Sequence, residues 1–289
     1  MERVIFGDNQ FFGINHSSDE KSRAQAIKFK DNQAIIDVLD IAIGEGIDTF
    51  MCTTHDRIAD ICKTIRSDER YHDFKMYPCM PYAHKYANAV TELGVLGTIK
   101  QYVPGNIIST FAKGGLAFVK KDFLKMMELL IDAELKMFKG IQTPVIFLQN
   151  VITDMFLGLG MTDILVAFHN YVKEKYDAEA GFITMNLPML LNALEKKGIS
   201  NPIVCASVNK IGFRMSGGIE TYEKVIAEKR CRLIAMQVFA AGAIPPKEAL
   251  EYVCSLDGVE SILFGASSKG NIKQSKQLID AYSKKAVKV

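Results

Sequence analysis

The densest group of chemically capable side chains is the segment CTTHDR, residues 52–57. It overlaps the end of an apolar run at 48–53 that is typical of a buried strand, so Cys52, His55 and Asp56 are predicted to lie where that strand ends. An imidazole titrates near neutral pH, and His55 is therefore a candidate general acid or base. Asp56 either orients a neighbouring group or caps the next helix, and Cys52 is either a catalytic thiol or a core residue.

Polar side chains also follow several other apolar runs. Buried amides and carboxyl groups need hydrogen-bond partners, so a rim that carries many of them favours a small polar ligand. Gln149 in VIFLQN is a further catalytic candidate at this rim. The predicted substrate-binding residues are Asp8, Asn9, Gln10, Asn150, Asn186 and Asn209.

The segment GVESILFGASSKGNIKQS, residues 258–275, has the pattern of a strand, a glycine turn and a helix. The first turn of a helix presents backbone N–H groups that have no partner within the helix, and such groups bind anions. A phosphate-bearing cofactor is therefore expected there; the alternative is a plain helix cap with a solvated lysine. The predicted binding residues are Gly265, Ser267, Ser268 and Lys269.

A lysine and three histidines complete the set of candidates. Lys113 follows an apolar run at 106–112 and could form a Schiff base if desolvated; otherwise it is a surface lysine. His16, His55 and His84 follow three different runs, and three such histidines could bind a metal. Their spacing is too irregular to support that interpretation, and no metal site is predicted.

The composition excludes several classes of function. The 289 residues carry a net charge of +2, which gives no electrostatic footprint for nucleic acid. No stretch approaches the ~20 consecutive apolar residues of a membrane span, and the start, MERVIFGDNQ, does not resemble a signal peptide. The six cysteines form no C-x-x-C pair, as expected of reduced thiols. We expect a cytoplasmic protein that binds a small polar molecule, with neither nucleic acid nor a membrane as its partner.

The elements that must position these residues are short apolar runs separated by amphipathic helices. Such alternation predicts parallel strands joined by right-handed crossovers, and eight units in ~250 residues make a (β/α)8 TIM barrel. A doubly wound sheet would show a G-x-G-x-x-G fingerprint after its first strand, where this chain has DNQFFGINH. The nine candidate strands are 4–8, 48–53, 74–80, 106–112, 144–150, 181–186, 202–209, 233–240 and 261–266.

The chain is thus predicted to be a single barrel domain over residues 1–289. One candidate strand exceeds the eight of the barrel, and it is either 74–80 or 106–112. An inserted element is accordingly expected within residues 74–115. In a barrel of this kind the chemistry lies at the carboxyl ends of the strands, and phosphate commonly binds after the last two.

Four segments carry a resemblance to a known family. RLIAMQVFAAGAIPPKEALEYVCSLDGVESILFGASSKGNIKQSKQLI (232–279) resembles the last two strand–helix units of the aldo-keto reductase superfamily. GFITMNLPMLLNALEKKGI (181–199) and NPIVCASVNKIG (201–212) are similar to the two preceding strands of that family. GEGIDTFMCTTHDRI (44–58) has the outline of its second strand.

The resemblance implies an NADP(H) site at the Gly265 turn. Ser275 stands where the family commonly has an Asn near the adenine, and Gln274, just before it, is a further predicted cofactor-binding residue. It also implies a catalytic Asp, Tyr, Lys and His at four strand ends, and most of these positions differ here. Met51 and Cys52 stand at the Asp position, His55 or Asp56 near the Tyr and Gln149 at the His, while Lys113 is the only lysine that could correspond.

Three functions follow from these observations. The first is an NADP(H)-dependent oxidoreductase with an altered proton donor such as His55. The second is a non-redox lyase, aldolase or isomerase in which the turn binds a phosphorylated or carboxylated substrate. The third is a non-catalytic ligand-binding barrel.

Overall fold

The computed structural model describes residues 1–13, 19–82 and 116–286. Its eight strands run parallel and close into a barrel, in which each strand pairs with the next along the chain and the last pairs with the first. The predicted (β/α)8 barrel is therefore confirmed. The strands are β1 Val4–Gly7, β2 Thr49–Thr53, β3 Lys75–Met80, β4 Val145–Leu148, β5 Glu179–Thr184, β6 Ile203–Ser207, β7 Arg232–Met236 and β8 Val259–Phe264.

Helices surround the barrel, and their starts follow local signals in the sequence. The helix α2 (Asn32–Gly44) begins after Asp31, whose carboxylate accepts a hydrogen bond from Ala34 N–H at 2.9 Å. The helix α9 (Pro246–Ser255) begins with a proline. The first N–H groups of a helix have no partner within it, so the N–H that proline lacks costs no hydrogen bond. The helices are α1 Asp19–Lys28, α2 Asn32–Gly44, α3 Asp56–Ser67, α4 Leu116–Leu135, α5 Asn150–Gly158, α6 Thr162–Tyr176, α7 Leu187–Glu195, α8 Ile219–Ala227, α9 Pro246–Ser255 and α10 Lys269–Ala286.

Side chains alternate between the two buried faces of each strand. In β2, Phe50 and Cys52 pack in the layer between strands and helices, whereas Met51 packs inside the barrel. Thr53, two residues beyond Met51, therefore faces the interior at the carboxyl end of the strand. Both faces are apolar along most of their length, which is why the strands are seen as continuous apolar runs in the sequence.

A close packing of Phe147 on Gly181 fills the barrel interior. A Cβ atom placed on Gly181 would lie 2.3 Å from the Phe147 ring, so only glycine fits beside this ring. Phe147 is completely buried and belongs to the interior cluster with Ile5 and Met51. The interior is thus a packed core, with no channel along the axis at this level.

Ion pairs close the amino-terminal end of the barrel. Lys75 Nζ lies 2.7 Å from Glu2 Oε1, and Arg232 lies 2.8 Å from Glu179 Oε2. The hydrogen bond from Lys75 is the main cause that lowers the pKa of Glu2. Glu2 precedes β1 and Lys75 lies in β3, whereas Glu179 and Arg232 lie in β5 and β7, so each pair joins strands that are two positions apart in the closed sheet. This end therefore contributes to stability rather than chemistry.

One of the two candidate strands left open by the sequence belongs to the barrel. Residues 75–80 form β3, which pairs with β2 and with β4, so the 74–80 run is a barrel strand. The 106–112 run, with most of the predicted insertion, lies outside the described residues. No helix in the described ranges is both long enough and apolar enough to cross a membrane.

Candidate functional site

The carboxyl ends of all eight strands meet at one rim because the strands are parallel. Interior-facing positions at this rim follow from the alternation in each strand. Leu148 packs toward the helices, so Gln149 faces inward, and the same argument applied to Ala206 places Ser207 inward. Together with Cys79 of the interior cluster, these residues give the mouth of the barrel a mixed polar and thiol surface.

His55 stands at the mouth and begins α3. Its Nδ1 accepts a hydrogen bond from Arg57 N–H at 3.1 Å, so the ring itself is the helix cap. Because Nδ1 is an acceptor, the neutral ring carries its proton on Nε2. The ring stacks on Phe12 at a centroid distance of 4.3 Å and lies 5.3 Å from the ring of Tyr82.

One of the two interpretations of Asp56 was that it caps α3, and this alternative is wrong by one residue, because the cap is His55. Asp56 is the first residue of the helix and is exposed, where its charge complements the positive end of the helix dipole. His55 therefore has a structural role as the helix cap in addition to any chemical role.

A buried carboxylate connects the β2 and β3 ends. Glu134, near the end of α4, is 5% exposed and accepts a hydrogen bond from Thr54 Oγ1 at 2.5 Å. It also accepts from Tyr82 N–H, which lies 3.3 Å from both carboxylate oxygens. Burial raises the pKa of Tyr82, and the charges of Asp8 and Asp56 raise it further.

Sequence reasoning missed Tyr82, Thr54 and Glu134. Tyr82 could have been found by assigning 74–80 to the barrel, since a residue just after a strand end lies at the mouth. Glu134 carries no such signal, because it is one carboxylate in a helix 80 residues from Thr54.

Asp8 follows β1 and is 6% exposed. Its Oδ2 accepts two hydrogen bonds from Thr53, one from the backbone N–H at 2.7 Å and one from Oγ1 at 2.8 Å. Burial raises the pKa of this carboxyl group against the opposing effect of the Thr53 hydrogen bonds. Since Thr53 faces the interior, the carboxylate lies at the edge of the mouth.

Gln10 joins the first strand end to the last. Its Nε2 donates to Gly7 O at 2.7 Å, and it is 5% exposed. A Cβ atom on Gly265 would lie 2.0 Å from Gln10 Oε1, so the glycine allows this close approach. Gln10 is thus a packing residue over the β8 turn, whereas its neighbour Asn9 is exposed at the rim.

The turn between β8 and α10 has the predicted helix-cap geometry. Ser268 Oγ accepts a hydrogen bond from Asn271 N–H at 3.3 Å, and Ser268, Lys269 and Gln274 are exposed. The Nζ atom of Lys28 donates to the backbone carbonyl of Ser267. Lys28 therefore adds a second positive charge to this turn, and it was not predicted because it lies on α1, 239 residues away in sequence.

Three predicted residues have other roles that the structure explains. Cys52 lies in the helix-side layer and is completely buried, and burial raises its pKa well above the usual range, so it is not a nucleophile at the mouth. Asn209 is also completely buried, and its amide bonds the backbone of Phe213 through both of its ends, at 2.8 and 2.9 Å. Asn186 caps α7 by accepting from Met189 N–H at 3.3 Å.

Two amides of the β4 end remain near the mouth. Gln149 is partly buried, and its Nε2 lies 3.5 Å from Cys79 O. Asn150 is the first residue of α5 and is partly buried. At the β6 end, Ser207 donates a hydrogen bond to Gln237 Oε1 at 2.8 Å, and this pair was also missed.

Lys113, His16 and His84 lie outside the described residues. Within the described ranges, no three His, Cys, Asp or Glu side chains form a group that could hold a metal.

No family model matches this sequence, and no curated protein matches it either. Solved structures do match. A protein of Pseudomonas aeruginosa that is assigned as an aldo-keto reductase matches with a TM-score of 0.59 at 12% identity, and the match covers 98% of this chain and 90% of that chain. The enzyme MGS-M4, an aldo-keto reductase from a deep-sea metagenome library of the Medee basin, has a TM-score of 0.53 at 10% identity, with 89% and 88% covered.

These likenesses extend over nearly the whole chain and concern the fold. The chain therefore has the barrel fold of these aldo-keto reductases, at 10–12% sequence identity. The resemblance first indicated by the C-terminal segments is confirmed at this level.

Proposed function

We propose that this protein is an NADP(H)-dependent oxidoreductase that acts on a small polar carbonyl compound at the mouth of the barrel. The observation that carries the proposal is the β8–α10 turn. There, the ammonium group of Lys28 contacts Ser267 O, and Lys269 begins an 18-residue helix at the rim that also carries His55.

The residues of the turn suit a phosphate group. Ser268, Lys269 and Gly270 are exposed at the start of α10, where backbone N–H groups have no partner within the helix. Lys28 and Lys269 supply charge, and charge-assisted hydrogen bonds to phosphate are about twice as strong as neutral ones. A nicotinamide cofactor bound here would supply hydride to the carbonyl carbon.

His55 is the proposed proton donor. The hydrogen bond from Arg57 N–H places the ring proton on Nε2, and the stack on Phe12 sets the plane of the ring. Hydride addition to the carbonyl carbon would leave an alkoxide, which would take the proton of Nε2 and become the alcohol. Water would then return a proton to the imidazolate ring. Met51 packs inside the barrel and is apolar. On β2, therefore, there is no counterpart of the carboxylate that the resemblance to aldo-keto reductases implies at this position.

Calorimetric titration with NADPH and NADH tests the cofactor. We expect NADPH to bind more tightly than NADH, and Lys28→Ala and Lys269→Ala each to weaken NADPH binding about fivefold, since an exposed ion pair contributes up to about 1 kcal/mol. The control is Lys196→Ala, an exposed lysine just beyond α7, which should leave binding unchanged. Absence of binding by either nucleotide would overturn the proposal.

The lyase, aldolase or isomerase alternative stays a prediction from the sequence, as does the non-catalytic barrel. The expected cytoplasmic location also stays a prediction. If neither nucleotide binds, the same turn becomes a candidate site for a phosphorylated substrate.

A further inference from the structure

The carboxylate of Asp8 uses its two oxygen atoms differently. Oδ2 is held by two donors of Thr53, at 2.7 and 2.8 Å, which fix the plane of the group. Within the part of the chain that the structure describes, no other residue donates a hydrogen bond to Oδ1, and no lysine or arginine pairs with the carboxylate. Besides Thr53, only the backbone N–H of Asp8 itself favours the charged form. The group is therefore oriented but only half satisfied.

Packing does not require a charge at this position. An asparagine has the same shape, and its oxygen could accept both Thr53 hydrogen bonds. A carboxylate that is 94% buried without a cation costs folding free energy, since burial disfavours its charged form. Groups kept at such a cost are typical of functional sites.

Asp154 is a second carboxylate bonded to a threonine at a strand end, but its role is structural. Its carboxylate accepts from Thr184 Oγ1 at 2.5 Å and from Met185 N–H at 2.9 Å, so both oxygens are engaged. Thr184 alternates with the interior residue Ile183 and therefore faces the helices. Asp8 differs because Thr53 faces the interior, and Asp8 thus lies at the edge of the mouth.

The chemistry around Asp8 defines what it can bind. A carboxylate accepts hydrogen bonds and repels carboxylate or phosphate groups. The rim also carries the neutral amides of Gln149 and Gln237 and the hydroxyl of Ser207, which suit a hydroxylated ligand.

We propose that Asp8 selects the substrate by accepting, through Oδ1, a hydrogen bond from a hydroxyl group next to the carbonyl. The substrate class is thus small hydroxyaldehydes or hydroxyketones, without an anionic group at that end. This inference rests on the proposed oxidoreductase function.

The test compares NADPH-dependent reduction of glyceraldehyde and of propanal, which lacks the hydroxyl groups, by the wild-type protein and by Asp8→Asn. We expect the wild type to prefer glyceraldehyde. In Asp8→Asn, kcat/KM for glyceraldehyde should fall about 10- to 100-fold, as for loss of a hydrogen bond to a charged group, and kcat/KM for propanal by less than about threefold. Thr53→Val, which removes one of the orienting donors, should reduce the preference to a smaller extent.

Asp154→Asn is the matched control, since it makes the same chemical change in a carboxylate on the helix side of the barrel. It should leave the ratio of the two kcat/KM values unchanged. An equal effect of Asp8→Asn on both aldehydes would overturn the inference and leave the proposed function standing. Weaker NADPH binding by Asp8→Asn would mean that Asp8 accepts its hydrogen bond from a hydroxyl group of the cofactor rather than of the substrate, and this result would also overturn the inference. Absence of NADPH binding and of reduction by the wild type would overturn the proposed function itself.

Discussion

The imidazole of His55 lies nearly parallel to the ring of Phe12, with 4.3 Å between the ring centroids and 14° between the planes. Phe12 belongs to the short 3-10 helix after β1, and His55 stands at the end of β2, so the stack joins two neighbouring strand ends. The stack and the hydrogen bond from Arg57 N–H together fix both the plane and the tautomer of the ring.

Substitution of His55 should separate capping from proton transfer. Asparagine is a good helix cap, so His55→Asn should keep the free energy of unfolding within about 0.5 kcal/mol, whereas His55→Ala should lose about 1 kcal/mol. Both variants should lose about 100-fold in kcat, because neither can act as an acid. Urea unfolding and steady-state kinetics measure the two effects; a fully active His55→Asn would exclude His55 as the proton donor.

Gly181→Ala should destabilise the barrel core. The added Cβ would lie 2.3 Å from the ring of Phe147, so the strand or the ring must move, at a cost of about 1–3 kcal/mol. The control is Gly44→Ala at the end of α2, where nothing lies within 4 Å, and which should be neutral or slightly stabilising. Denaturant unfolding measures both, and Phe147→Leu in the Gly181→Ala background should restore part of the loss.

Asp8→Asn should raise stability at neutral pH. Burial raises the pKa of Asp8 in the folded state, so the folded protein binds a proton more readily than the unfolded chain. The contribution of Asp8 to stability therefore falls as the pH rises from its unfolded pKa, near 3.8, through the higher folded value. Its titratable neighbours Cys52, Cys79 and Tyr82 have raised pKa values and stay neutral in this range.

Unfolding measured between pH 3.5 and 7, roughly the range in which carboxyl groups titrate, should thus show a smaller fall for Asp8→Asn than for the wild type. Identical profiles for the wild type and Asp8→Asn would show that Asp8 carries no raised pKa.

Thr54→Val should destabilise the protein through Glu134. The substitution keeps the shape of the side chain but removes the hydroxyl that donates to the buried carboxylate at 2.5 Å. Loss of one hydrogen bond to a buried charged group costs about 1.5–3 kcal/mol. In a double-mutant cycle with Glu134→Gln, the two effects should not add, and strict additivity would mean that the contact contributes nothing.

Much of the fold could be predicted because its signals are local. The run VIFLQN indicated a strand with Gln149 at its end, and β4 ends at Leu148, immediately before Gln149. PKEALEYVCSLDG indicated a helix, and α9 spans Pro246–Ser255. Apolar runs and helical periodicity depend on residues a few positions apart, so the sequence shows them directly.

The candidate site could be predicted only in part. A residue after a strand must lie near the mouth, which is why Asp8, His55 and Gln149 were found. The hydrogen-bond partners of each polar group were not predictable. Both ends of the Asn209 amide bond the backbone of Phe213, because the turn after β6 brings that backbone within hydrogen-bond distance.

The sequence by itself determined the strands, the helices and the rim at which the polar residues gather. Only the tertiary structure decided which of these residues meet. Lys28 reaches Ser267 across 239 residues, Glu134 reaches Thr54 across 80, and Asp8 reaches Thr53 across 45. Such contacts depend on the closure of the barrel and on the register between its strands, and both are properties of the whole chain rather than of any local segment.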